Sequence, residues 1–107
     1  MSVTNAHAFG LAVLSDMGSP DEFTSAPLVK TLLAAAAARA YQAWLNLGDA
    51  RGDVSAPTFG QWALSEADNR FVASDSELLG YGFAWYGSAL RDTFAASCGT
   101  VLTANRD

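Results

Sequence analysis

The sequence predicts an all-α fold: a compact bundle of about five helices built by a single domain over residues 1–107. Three observations lead to that expectation. The pattern Ser/Thr-x-x-Glu/Gln occurs at Ser19–Glu22, Thr58–Gln61 and Ser74–Glu77. In such a box the hydroxyl accepts from the third backbone amide of the helix, and the acidic or amide side chain reaches back to the cap. Apolar residues then recur at spacings of three and four, the period that gives a helix one buried face. Glycine stands where those periodic runs stop, at Gly18, Gly48 and Gly99.

The elements follow in order. A first helix is expected from about Asn5 to Met17, with Ala6, Phe9, Val13 and Met17 as its apolar stripe and Gly18 as its stop. A short helix starts at Pro20, where a missing N–H costs nothing, and breaks before Pro27. A long central helix covers Pro27 to Leu47, with Gly48 as its C-cap, and would span roughly 30 Å. Asp49 to Pro57 is read as a loop. A fourth helix covers about Phe59 to Asn69, extending as far as Val72. A long aromatic-rich last helix runs from about Asp75 to Cys98, stops at Gly99, and leaves a tail from Thr100 to Asp107 that frays. The pattern over 79–87 also fits a strand, because Tyr81, Phe83 and Trp85 alternate between glycines.

On the long helix the apolar face holds Val29, Leu32, Leu33, Ala36, Ala40, Ala43, Trp44 and Leu47. The other side, with Lys30, Ala34, Ala38, Tyr41 and Leu45, is only weakly polar, so neighbours are expected on more than one side. The run Ala34 to Ala38 would let another backbone come close. On the last helix Leu79, Phe83, Tyr86, Leu90 and Phe94 form the expected core stripe. Gly80, Ala84 and Gly87 form a small-residue face suited to tight packing against that alanine run. Tyr81 and Trp85 fall on a third face, with Asp92 further along.

Composition narrows the function. Half of the 107 residues are hydrophobic, which fits a globular chain and not a disordered one. A single cysteine, Cys98, points to a reducing, cytoplasmic setting. The stretch Met1 to Asn5 carries no basic and apolar leader, so no signal peptide is expected. No apolar run is long enough for a membrane span. Six basic against eleven acidic residues give a net charge of −5, which disfavours direct binding to nucleic acid or to anionic membranes. Alanine and arginine are favoured, as in the proteins of GC-rich bacteria and their phages.

Each candidate for chemistry has a plainer structural explanation. His7 and Cys98, each the only residue of its type, would make a nucleophile–base pair if the terminal helices met; otherwise they are a surface histidine and a small buried thiol. Two such residues are too few for a structural zinc site, and no calcium loop is present, so no cofactor or metal is expected. The carboxylates Asp21, Glu22, Asp75 and Glu77 fall in first helical turns, where they offset the helix dipole. Asp16, Asp49, Asp53, Glu66, Asp68, Asp92 and Asp107 remain for an acidic patch. Arg51-Gly52-Asp53 is the tripeptide read by integrins, but it also fits a turn that needs glycine. Gly80-Tyr81-Gly82 lacks the strand–turn–helix setting of a phosphate loop. A helix-turn-helix is excluded, because the last helix offers aromatics and only Arg91 where bases would need Arg, Lys, Asn or Gln.

The segment Leu32 to Leu45, with its alanine run and Arg39-Ala40-Tyr41, resembles the first long helix of tailed-phage head–tail connector proteins. The likeness disappears after Gly48 and implies a structural or adaptor role. The residues themselves favour a non-enzymatic protein-binding module, a small acidic inhibitor or regulator from a phage or mobile element. It would act on a bacterial protein or nucleoprotein complex, and a partner with a basic nucleic-acid-binding surface suits the charge. Surplus tyrosine and tryptophan, favoured at interface hot spots, make Tyr81, Trp85 and Asp92 the expected partner contacts. The alternatives are a homo-oligomeric structural protein and a small enzyme using His7 or Cys98.

Overall fold

The computed structural model describes residues 5–18, 27–73 and 90–105. Among these the chain is all-α: helices α1 (Ala6–Met17), α2 (Pro27–Asn46), α3 (Ala56–Ala73) and α4 (Leu90–Ala104), with a 3-10 helix, Gly48–Asp53, between α2 and α3. The helices close a ring, α1 on α2, α2 on α3, α3 on α4 and α4 back on α1. The apolar stripes meet along its axis, where Phe9, Leu33, Phe59, Phe94 and Leu102 are wholly buried. The expected short helix from Pro20, the Ser74–Glu77 box and the segment 79–87 lie outside the described residues, as does the Gly80, Ala84, Gly87 face.

Local chemistry explains the ends of α1. The Asn5 side chain accepts from the Ala8 backbone N–H at 2.8 Å, satisfying one of the unpaired first-turn amides. Gly18 closes the helix at φ +79°, where a side chain would be strained. Phe9, Val13 and Met17 are buried as expected. So is Gly10, which sets the distance to α2: a Cβ there would overlap the Ala34 carbonyl oxygen. The close approach expected of the alanine run is therefore made by α1.

Helix α2 is covered on two sides, by α1 and by α3. Its buried face departs from the expected one. Ala43 and Leu47 are exposed, while Tyr41, placed on the weakly polar side by periodicity, is 6% exposed. The cause is the α1 neighbour: Phe9 stacks on the Tyr41 ring with centroids 4.3 Å apart. A second buried stripe therefore forms beside the first.

Three further expectations are corrected. Asp49 to Asp53 is not loop; it belongs to the 3-10 helix that starts at Gly48, where φ is +59°. Helix α3 begins at Ala56, before Phe59, and its cap is Ser55 and not Thr58. Ser55 Oγ accepts from the Thr58 N–H at 3.2 Å and donates to Thr58 Oγ1 at 2.9 Å. Pro57 then occupies the second helical position, where its missing N–H would have had no intrahelical acceptor. Finally, α4 does not stop at Gly99, and the tail from Thr100 is helical to Ala104. Glycine in a helix interior costs about 1 kcal/mol, but Val101 and Leu102 bury against the core beyond it, each contributing about 1.5–3 kcal/mol. Gly99 is a packing residue, its missing side chain admitting Ala56.

Candidate functional site: the α3–α4 groove

The antiparallel pair α3 and α4 is brought together by small residues. A Cβ on Gly60 would lie 2.9 Å from the Ala95 carbonyl oxygen, and one on Gly99 would lie 3.1 Å from the Ala56 Cβ. On the outer flank of this contact, among the described residues, nothing large fills the angle between the helices. An open groove of about 700 Å³ remains, floored by Ala56, Gly60 and Gly99 and edged by Pro57, Gln61, Ala96 and Thr103. None of its lining residues is ionisable. Its threonines turn their hydroxyls inward along the helix: Thr100 donates to the Ala96 carbonyl at 3.0 Å and Thr103 to the Gly99 carbonyl at 2.9 Å. The groove is therefore apolar although its sequence is only weakly hydrophobic.

Charge is arranged around it. Asp92, Ala96, Gly99 and Thr103 fall on one line of α4 at helical spacing, so the exposed Asp92 carboxylate stands one turn beyond the groove on its own face. On the other flank of Thr100 and Ala104, Asp16 borders a smaller hollow between α1 and α4. Three of the arginines, by contrast, are engaged within the molecule. Arg39 pairs with Glu66 at 3.2 Å, tying α2 to α3, and Arg91 with Asp68 at 2.8 Å, tying α3 to α4. Arg51 donates from Nε to the Gly48 carbonyl and lays its guanidinium over the Trp44 ring, 5.3 Å from the centroid.

These contacts account for several residues singled out in the sequence. The Glu66 and Asp68 carboxylates are ion-pair partners of arginines on neighbouring helices. Arg51-Gly52-Asp53 is a turn of 3-10 helix whose arginine is stacked on tryptophan. His7 is exposed on α1, whereas Cys98 is wholly buried, and loss of solvent pushes its thiol far above the ordinary range. The two stand in unlike surroundings. Among the described residues no three His, Cys, Asp or Glu side chains gather as a metal site would need. No described helix is long and apolar enough to cross a membrane.

Of the expected partner contacts, Asp92 is exposed in the first turn of α4, while Tyr81 and Trp85 lie outside the described residues. Trp44 belongs to the core, as its helical register suggests. It ends an aromatic series in which Trp44 stacks on Tyr41, Tyr41 on Phe9, and Phe9 meets Phe59 edge-on, with Trp62 beyond. The groove itself was missed in the sequence. Its one visible signal was the spacing of small residues, Ala56 with Gly60 and Ala95 with Gly99. Compared with known protein families, curated proteins and solved structures, the chain matches none.

Proposed function

We propose that this chain is a non-enzymatic protein-binding module. In its sharper form it is an acidic inhibitor or regulator of phage or mobile-element origin, acting on a bacterial protein or nucleoprotein complex. The observation that carries the reading is the uncharged α3–α4 groove with a carboxylate at its end, a surface able to take an apolar side-chain row from another protein. Two further features support it. The single cysteine is held protonated in the core, where it makes a poor nucleophile. The net charge of −5 favours a basic partner. The phage or mobile-element origin rests on composition alone. Tyr81 and Trp85 join Asp92 as proposed contacts.

The test is capture by the immobilised chain from a bacterial lysate, with a Tyr81→Ala/Trp85→Ala double variant in parallel. The expected result is retention of a host protein that falls sharply in the double variant while its circular dichroism is unchanged. Retention of nothing would overturn the binding reading. Equal retention by the folded double variant would remove Tyr81 and Trp85 from the contact surface.

A further inference from the structure

Resting on that reading, we infer that the α3–α4 groove receives one face of a cationic amphipathic helix from the partner. Small apolar side chains enter the hollow, and Lys or Arg flank it beside Asp92. Three observations fix that chemistry. The lining is uncharged and mostly apolar, its threonine hydroxyls donate to carbonyls of their own helix, and Gln61 on the edge brings its one side-chain amide. Its α4 edge runs from Ala95 to Ala104, ten residues spanning roughly 14 Å, the length of two to three helical turns. That suits the i, i+4, i+7 side-chain row of a docked helix. Among the described residues, the exposed ionisable side chains of α4 and of the neighbouring α1–α4 hollow are carboxylates. Asp92 is exposed on the groove's own line and Asp16 across the α4 ridge, while Arg39 and Arg91 pair with carboxylates of the same chain. A cationic rim on the ligand would complement this field, and an acidic one would meet repulsion.

A second copy is a poorer occupant, because each copy carries −5 and would bring like charge to the Asp92 rim. An anionic membrane is disfavoured by the same charge.

The test uses the full isotopically labelled chain and a synthetic helical peptide of about 18 residues. The peptide carries leucine or alanine at i, i+4, i+7 and i+11 and lysine on the flanks; a second peptide has glutamate in place of lysine. The expected result is that amide shifts concentrate at Gly60, Ala96, Gly99 and Thr103. The glutamate peptide should bind at least ~10-fold more weakly, and binding of the lysine peptide should weaken as salt rises. Ala96→Arg, at an exposed helical site that tolerates arginine, should weaken the lysine peptide by ~10-fold or more. Gln42→Arg, the same charge change on an exposed position of α2, should leave it within about twofold.

Absence of binding, shifts centred away from the groove, equal affinity for the two peptides, or equal effects of the two arginine variants would each overturn the inference. A doubled mass by light scattering that Ala96→Arg returns to a monomer would assign the groove to a second copy instead. If the captured host protein is retained equally by Ala96→Arg, the groove inference fails while the protein-binding reading stands.

Discussion

The α1–α2 and α3–α4 contacts use the same device and end in opposite results. Each relies on a glycine that lets one backbone approach another, Gly10 at Ala34 and Gly60 at Ala95. Beside Gly10 stand Phe9 and Val13, and Tyr41 rises from α2 to stack on Phe9, so that flank is solid. Beside Gly60 stand Pro57 and Gln61, and α4 offers Ala96, Gly99 and Thr103, so that flank is an open groove. Close approach is thus set by the residue at the crossing point. Whether the pair then forms core or a surface hollow is set by the size of its neighbours.

The comparison is sharpened most by Phe9→Ala. It removes a wholly buried ring that touches both Tyr41 and Phe59, and a loss of about 3–5 kcal/mol is expected in urea unfolding. A loss under about 1 kcal/mol would mean that the α1–α2 flank is not close-packed. Gly10→Ala comes next. Its methyl meets a backbone carbonyl that cannot step aside, so a net cost of about 1–3 kcal/mol is expected despite the better helix propensity of alanine. Gly60→Ala, with a longer approach to Ala95, should cost less, about 1 kcal/mol. Reversal of that order would break the claim that α1–α2 is the tighter crossing.

Cys98 lies wholly buried near the α3–α4 crossing and gives a readout in pH. Burial raises its folded pKa, so the native state keeps a proton that the unfolded chain loses above about pH 8.5. Its contribution is therefore fully present below that pH and is lost as pH rises. Stability should fall by up to about 2 kcal/mol between pH 8 and 10. Cys98→Ala should show a flatter profile over the same range. Identical profiles would mean that the thiol is hydrated in the native state.

The smallest effect is expected at the groove. Ala96→Leu places a larger apolar group over the hollow at an exposed helical position, and stability should change by no more than about 0.5 kcal/mol. A large destabilisation would show that the groove is closed in solution.

What was legible in the sequence was local. The start of α1 at Asn5, its stripe of Phe9, Val13 and Met17, and the glycine stops at Gly18 and Gly48 follow from capping and from a 3.6-residue period acting within a few residues. The all-α class followed from the same signals. Tertiary structure alone decided the rest. Gly99 reads as a stop until Ala56 is seen to occupy the space its side chain would fill, with Val101 and Leu102 buried one turn on. Tyr41 reads as an outer residue until Phe9 stacks on it. Ser55 could not be preferred over Thr58 as a cap without knowing that α3 extends upstream to pack Ala56 on α4. The groove depends on residues about 35 positions apart, so no single window of sequence contains it; a hollow is a property of two helices and not of either one.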